Sequence, residues 1–340
     1  MKEKKAKKNK GGKILLTVIL VILAVAAVYS FFCLAAGRLF YPDFYKSATR
    51  DAKIPSMTKG FIPQGCTAFE GDTNSVVCGY MQGKGSSRLY VFDEKGRSRE
   101  VILEREDGSE YGGHAGGITA TGNYLYISNA SKLFVLDRNE VMNARDGDTV
   151  AFKGHVEVPC RASFCSSDGK YVYVGDFHAD GYETEEDHTV KTSDGGEYHA
   201  LVFAYELDND GTGTFGLKDP EHPALVYSVC DKVQGFAVTA GGSAILSCSF
   251  SLKPSELKIY NAGGENDSEF TYNGSKIPMK ILDSKRFVKT VKAPHMSEDV
   301  DFRGGKLLVC FEGGAKKYGG GIIPFSLFDV FALDLESLKG

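Results

Sequence analysis

The sequence predicts an all-β protein of the β-propeller class behind one N-terminal transmembrane helix. Three features support this prediction: a long uncharged apolar segment near the N-terminus, short β-branched and aromatic runs separated by Gly, Asp and Asn turns, and a unit of such runs that recurs along the chain. Beyond residue 60 almost nothing follows the helical period, and the runs have the length and composition of β-strands.

The N-terminal segment has the composition of a membrane anchor. Residues 1–13 hold seven lysines and one glutamate, and residues 14–37 hold no charged residue. As a helix, residues 14–37 rise about 36 Å, slightly more than the hydrocarbon core of roughly 30 Å. Lysines on one flank only place that flank in the cytoplasm. The sequence therefore predicts a cytoplasmic tail (1–13), a helix (14–37) across the cell membrane, a juxtamembrane linker (38–59) and an extracytoplasmic propeller (60–340).

A cleaved signal peptide is the alternative to a retained anchor. Ala35-Ala36-Gly37 offers the small residues that a signal peptidase accepts. The apolar run is longer than the core of an ordinary signal peptide, which has about 7 to 15 residues, and this favours a signal anchor.

The charge of the exported part argues against nucleic acid as a partner. The whole chain has a net charge of −4, and residues 1–13 contribute +6, so the remainder carries −10. An acidic surface repels a phosphate backbone.

Seven of the eight cysteines lie beyond the apolar segment, and several occupy apolar strand patterns in which cysteine acts as a small buried side chain. The odd number leaves at least one unpaired. Cys66 and Cys78 are the best candidates for a disulfide, because a turn centred on Asp72 would place them opposite each other on adjacent strands. No CxxC pair exists, which excludes a zinc ribbon.

A repeating unit organises the chain beyond residue 60. Each copy has a strand, a Gly or Asp turn, a second strand, and a third strand that ends in an acidic residue or Asn; the clearest copy runs from His114 to Asp137. The copies begin at residues 64, 114, 161, 234 and 297. Without insertions at 178–198 and 263–278, each unit has about fifty residues, which is typical of propeller blades.

We predict five blades from this count. Six is the alternative, if residues 40–60 and 278–292 form a degenerate blade. A strand before Pro63 is expected to complete the last blade and close the ring.

The repeat also predicts a site. The first strand of each blade lines the central axis, so equivalent residues of successive units converge. We expect the polar residues that enter these strands to form a ligand-binding pocket at one mouth of the axis; alternatively, they plug the axis by hydrogen bonding to neighbouring blades. These residues are Gln64, His114, Arg161, Gln234 and either Ser297 or Glu298.

The charges of these residues favour an anionic or sugar-like small ligand, held by Arg161, His114 and the two glutamines. A divalent cation such as Ca²⁺ is the alternative, because carboxylate and amide oxygens bind it. Only Glu298 supplies a carboxylate, however, and Arg161 would repel a cation. No cofactor is predicted with any specificity.

Catalysis is a second hypothesis for the same region. His295, Glu298, Asp299 and Asp301 form its densest run of titratable groups. Alternation along a strand places Asp299 and Asp301 on one face and Glu298 on the other. His295 and Glu298 would act as an acid/base pair if the pocket raised the pKa of the acid. No GxSxG or HExxH motif accompanies them.

The insertion at 178–199 carries three histidines and seven acidic residues, which suit Ca²⁺ or a transition metal. Its histidine spacings of ten and eleven match no compact ligand pattern, so a solvated loop is the favoured interpretation.

Several motifs carry a resemblance to known proteins. The sequence resembles a family of uncharacterised exported or membrane-anchored propeller-like proteins of Gram-positive bacteria, over most of residues 54–335. The matching motifs are Pro63-Gln64-Gly65, His114-Ala115-Gly116-Gly117, Ser297-Glu298-Asp299 and the stretch from Phe311-Glu312 to Lys317-Tyr318. The resemblance implies a fold and a location but no activity.

The chain is similar, more distantly, to six-bladed lactonase-type propellers, in which acidic and amide side chains hold an axial calcium. Only Gln64, Gln234 and Glu298 match that set. From these observations we expect a cell-surface binding module that takes an envelope ligand, glycan or partner protein through the axial pocket or the rim loops. The alternative is a propeller-type hydrolase of lactones or phosphoesters that uses His295 and Glu298.

Overall fold

The computed structural model describes residues 2–69, 75–208, 211 and 213–339. Helix α1 covers Lys2–Phe40, and its Gly12–Phe40 part is long and apolar enough to cross a membrane, by length and composition. A signal sequence would have the same properties. Helix α2 (Pro42–Ser47) follows, and its buried Phe44 packs against Phe311 and Phe331, with ring centroids 5.7 and 5.4 Å apart.

Within the described residues, the strands form five large sheets, one per blade, which confirms the predicted propeller and its five blades. Blade 1 contains β2 (Phe61–Ala68), β3 (Ser75–Met81), β4 (Arg88–Phe92), β5 (Ser98–Glu104) and β9 (Asp148–Ala151). Blade 2 contains β6 (Gly117–Thr121), β7 (Tyr124–Asn129), β8 (Lys132–Asp137) and β10 (Gly154–Glu157).

The other three blades follow in chain order. Blade 3 contains β11 (Phe164–Ser167), β12 (Tyr171–Gly175), β15 (Ala200–Glu206), β16 (Leu225–Val229), β20 (Ser268–Tyr272) and β21 (Ser275–Ile281). Blade 4 contains β17 (Val233–Val238), β18 (Ser243–Cys248), β19 (Ser255–Asn261) and β22 (Phe287–Ala293). Blade 5 contains β23 (Ser297–Arg303), β24 (Lys306–Phe311), β25 (Asp329–Asp334) and β1 (Ala48–Lys53).

The remaining elements are short. They are α3 (Arg138–Asn143), α4 (Leu335–Lys339), the two-stranded β13 (Val190–Lys191) and β14 (Glu197–Tyr198), and 3₁₀ turns at Met57–Lys59, Glu186–His188 and Lys316–Tyr318.

The ring closes as expected, because β1 pairs antiparallel with β25, with Ala48 opposite Leu333. The segment 38–59 therefore contributes α2 and β1 to the propeller. The six-bladed alternative is wrong, since β1 belongs to blade 5 and residues 278–292 supply β21 and β22 of blades 3 and 4. Apolar clusters fill each of the five interfaces between neighbouring blades.

The centre of the ring is filled rather than open. Asp301 is buried, and its Oδ2 accepts hydrogen bonds from Thr67 Oγ1 (2.6 Å) and Thr119 Oγ1 (2.8 Å) of blades 1 and 2. Asp299 is also buried, and its Oδ2 accepts a bond from Ile118 N at 3.1 Å. Blade 5 thus joins the inner strands of blades 1 and 2 through two axial carboxyl groups.

The expected Cys66–Cys78 disulfide is absent, because all the cysteines are free. The register pairs Cys66 with Val77 and Cys78 with Gly65, one residue away from the register that would join the thiols. A one-residue offset turns two side chains to opposite faces of a sheet. The seven cysteines of the propeller are all buried, as small core residues are.

Candidate functional site

Irregularities at the start of the inner strands aim polar side chains at one mouth of the axis. The pairing of β2 with β3 skips Gln64, and the pairing of β17 with β18 skips Gln234. In β23 the irregularity covers Glu298 and Asp299. Such bulges bend a strand and redirect its side chains.

In blades 2 and 3, a residue in the left-handed conformation directs the preceding polar side chain into the mouth of the axis. His114 and Arg161 are each followed by a buried alanine in this conformation, Ala115 (φ 51°) and Ala162 (φ 53°). A non-glycine residue there costs about 1 to 3 kcal/mol, which the surrounding packing must offset. The backbone turn leaves the preceding side chain pointing into the mouth.

The mouth contains a cavity of about 450 Å³. Five of the sequence-predicted residues line it: Gln64, His114, Arg161, Gln234 and Glu298. Ser297 does not, since its Oγ lies 2.7 Å from Ser247 Oγ in the buried wall. The structure therefore brings the predicted set together with Glu298 as the fifth member, while ligand binding by these residues remains a prediction.

Glu298 and Glu312 form a buried acid pair at this cavity, joined by a hydrogen bond. Burial raises the pKa of Glu298 strongly, and the adjacent Glu312 raises it further. Burial also raises the pKa of Glu312, against hydrogen bonds to its Oε2 from Tyr318 OH (2.9 Å) and Gln64 Nε2 (3.0 Å). Two like charges this close disfavour full ionisation, so these shifts favour one shared proton, held on Glu298.

His114 is neutral at physiological pH. Its side chain is reachable from the cavity, and its ring lies 4.6 Å from that of Tyr80. Desolvation in the mouth, with the charge of Lys317 as a second cause, lowers the pKa of His114 to about 4. Above that pH the imidazole offers one donor and one acceptor nitrogen.

Two cations border the cavity. Burial acts to lower the pKa of Lys317, but the hydrogen bond to Tyr80 and the charge of Glu312 outweigh it, so the pKa is raised. Lys317 Nζ donates to Tyr80 OH at 2.7 Å. The exposed Arg161 has no ion-pair partner among the described residues, and its backbone N donates to the buried Asp176 at 2.8 Å.

The hydrogen-bond partner of Glu298 is Glu312, and an acid/base role of His295 with Glu298 stays a prediction. His295 does not line the cavity, and its Nε2 donates to Pro324 O at 3.1 Å. Burial lowers the pKa of His295. The left-handed Met296 (φ 60°) turns the chain between His295 and the strand that carries Glu298.

The 178–199 insertion brings two of its histidines together. The rings of His178 and His199 stack at 4.6 Å, and His199 Nδ1 lies 3.1 Å from Asp231 Oδ1. Nearly parallel rings direct their lone pairs into separate planes, so a shared ion requires one ring to turn. The third histidine, His188, lies instead 2.7 Å from Asp176 Oδ2 and supports the backbone at the edge of the cavity.

A larger cavity, about 680 Å³, lies at the opposite mouth, where the inner strands end. Its lining is rich in Gly and Ala and includes four acidic residues, and its one basic residue, Arg303, is already paired with Asp51. The mouth with the acid pair and the unpaired arginine is therefore the candidate site.

Sequence reasoning missed Glu312, Lys317 and Tyr318, which follow the second strand of blade 5 rather than a first strand. The only signal was the stretch from Phe311-Glu312 to Lys317-Tyr318, which carried a resemblance but no assigned role.

A comparison with known families agrees with the repeat. The LVIVD repeat matches residues 112–137, nearly the same segment as the clearest copy of the recurring unit. No curated protein matches the chain. The resemblance to Gram-positive exported proteins remains a prediction.

Solved structures match at low identity. The PQQ-bound aldose sugar dehydrogenase of Streptomyces coelicolor is 14% identical with a TM-score of 0.44, over 85% of this chain and 98% of that chain. Glutaminyl cyclase of Myxococcus xanthus is 11% identical with a TM-score of 0.41, over 84% and 97%. Hydrazine synthase of Kuenenia stuttgartiensis is 14% identical with a TM-score of 0.35 over 74% of this chain, which spans 56% of that chain. At these values none of the activities of these proteins transfers to this chain.

Proposed function

We propose that the protein is a membrane-anchored binding module whose axial cavity takes a small anionic ligand with hydroxyl groups, such as an acidic sugar of the cell envelope. Helix α1 would be the anchor, with the lysine-rich flank in the cytoplasm and the propeller outside. The observation that carries the proposal is the guanidinium of Arg161, which lines the cavity and has no ion-pair partner among the residues that the structure describes.

The charges at the cavity favour an anion. Arg161 and Lys317 are cationic, the lowered pKa of His114 favours its neutral form, and the raised pKa values of Glu298 and Glu312 reduce the negative charge of the acid pair. A carboxylate or phosphate of the ligand would accept charge-assisted hydrogen bonds from the guanidinium of Arg161.

The remaining lining suits a polar ring with apolar faces. The amide of Gln234 makes no side-chain hydrogen bond within the part of the chain that the structure describes, so it is available to ligand hydroxyls. Phe177, Tyr182 and Phe250 supply aromatic walls. Apolar walls with a few convergent polar groups are the usual composition of small-molecule sites.

Replacing Arg161 with glutamine is expected to weaken anion binding about 10- to 100-fold, because one charge-assisted contact contributes about 1.5 to 3 kcal/mol. Isothermal titration calorimetry of the full-length protein in detergent measures the affinity for glucuronate and for glucose 6-phosphate. Glucose is the neutral comparison ligand. Arg145→Gln, at an exposed arginine outside the cavity, is the matched control. Equal affinity of Arg161→Gln and parent, or equal binding of glucose, would contradict the proposal.

Hydrolysis by acid/base catalysis is the second candidate function, and the shared proton of Glu298 and Glu312 favours it. Two coupled carboxyl groups provide an acid and a base at the same pH. In this mechanism Glu298 would protonate the leaving oxygen of a lactone or phosphoester, and Glu312 would take a proton from the attacking water.

The Glu298→Gln variant distinguishes a binding module from a hydrolase. Glutamine keeps the shape and neutral charge of the protonated acid, so anion binding should stay within about twofold of the parent, whereas acid catalysis should fall by about 100-fold or more. Titration calorimetry and turnover of lactone and phosphoester substrates measure both effects, with the exposed Glu106→Gln as control. Turnover that survives Glu298→Gln would exclude this acid/base role.

A further inference from the structure

The loop after β24 has an apolar, uncharged tip. Its sequence from Gly319 to Phe325 is Gly-Gly-Gly-Ile-Ile-Pro-Phe, and the side chain of Ile322 is 78% exposed. Leu39 and Phe40 at the end of α1 are also exposed, at 78% and 61%. The tip and the end of the helix thus form one exposed apolar surface.

The tip lies directly against helix α1. Tyr29 OH donates a hydrogen bond to Ile322 O at 2.6 Å, and the ring of Phe325 lies 5.7 Å from the rings of both Phe40 and Tyr41. Tyr29 precedes Gly37, the end of the uncharged segment, by eight residues, or about 12 Å along the helix. If α1 crosses a bilayer, Ile322 therefore lies at the depth of the hydrocarbon.

Three of the six amide groups of the tip, at Gly319, Gly320 and Ile322, donate to backbone carbonyl groups of residues 315–319. Ile322 N donates to Gly319 O at 3.2 Å, Ile322 O accepts from Tyr29, and Pro324 O accepts from His295 Nε2. Each such bond lowers the cost of placing the tip in hydrocarbon, where no water is available to the backbone groups.

We propose that Gly319–Phe325 enters the outer leaflet of the bilayer beside α1 as a second membrane contact. The inference rests on the anchoring part of the proposed function. Lys316 and Lys317 precede the tip and would lie at the level of the lipid headgroups, where basic side chains are favoured.

The contact fixes how the propeller faces the membrane. The loop that carries Glu312, Lys317 and Tyr318 to the cavity continues directly into the tip. The mouth of the axial cavity then opens toward the headgroup layer, and its ligand is drawn from that layer rather than from the bulk phase.

The absence of tryptophan from the sequence allows a direct test with single-tryptophan variants. Full-length Ile322→Trp is placed in nanodiscs of phosphatidylcholine and phosphatidylglycerol, with and without nitroxide-labelled acyl chains. We expect a blue-shifted emission and loss of most of the fluorescence to the nitroxide. Lys95→Trp, on the exposed β4–β5 turn at the other mouth, should keep a red emission and escape quenching.

A third variant, Val25→Trp within α1, separates the two proposals. Quenching at residue 25 without quenching at residue 322 would overturn the second membrane contact and leave the anchor standing. Absence of quenching at both positions would overturn the anchor and, with it, the inference. Quenching at residues 25 and 322 but not at 95 is the expected result.

Discussion

Replacing Asp301 with asparagine is expected to raise the free energy of unfolding at neutral pH and to remove much of its decline between about pH 4 and pH 7. Burial raises the pKa of Asp301 to about 7, although hydrogen bonds from Thr67, Phe302 N and Thr119 act to lower it. The unfolded chain has a value of about 3.9. Between these values the unfolded state releases its proton first, so stability falls as the pH rises.

The size of this effect follows from the shift. About three pKa units correspond to about 4 kcal/mol, fully present below pH 4 and lost as the pH approaches 7. Asparagine matches the protonated acid in shape, because its amide can donate to the hydroxyls of Thr67 and Thr119 while its oxygen accepts from Phe302 N.

Urea unfolding of the full-length protein in detergent at several pH values tests this expectation. Asp107→Asn is the control, at an exposed aspartate whose pKa is lowered chiefly by hydrogen bonding to Ser109. Parallel pH profiles for the parent and Asp301→Asn would show that Asp301 is ionised in the folded state, contrary to the expectation.

Much of the fold was predictable because each repeating unit is marked by residues that are close together in the sequence. Strand runs, glycine turns and a period of about fifty residues specify five blades and a closing strand. The additional edge strands were not predictable: β9 joins β5 and β21 joins β16 in parallel, and both pairings depend on free sheet edges rather than on a pattern in the sequence. The prediction of a Cys66–Cys78 disulfide was wrong for a similar reason. The amino-acid composition of two strands does not reveal an offset of one residue in their register.

Only those residues of the candidate site that occupy equivalent positions in the repeating units were predictable. Gln64, Arg161 and Gln234 occupy equivalent positions, so alignment of the units found them. Glu312 contacts Gln64 across 248 residues of sequence, and nothing in its spacing reveals that contact. His295 was grouped with Glu298 because the two are close in sequence, whereas in the structure His295 bonds to Pro324 O and Glu298 bonds to Glu312.

Replacing Gly117 with alanine is expected to destabilise the propeller by about 3 kcal/mol or more. A Cβ at this position in β6 would lie 2.5 Å from Cys165 N, 2.6 Å from Asp299 Oδ2 and 2.9 Å from Phe164 Cα. Two of these atoms belong to the backbone of blade 3, so relief requires the inner strands to separate. Separation would also weaken the bond from Ile118 N to Asp299, which links blades 2 and 5.

Urea unfolding midpoints of Gly117→Ala and parent measure this effect. Gly112→Ala is the matched control in the same segment, because the nearest atom to its added methyl group, Gly85 O, is 3.8 Å away; it should change stability by less than about 0.5 kcal/mol. A Gly117→Ala protein as stable as the control would mean that the inner strands stand further apart than this packing requires. The axis would then have room for solvent, and the carboxyl groups of Asp299 and Asp301 would titrate as hydrated acids rather than as the closed centre of the ring.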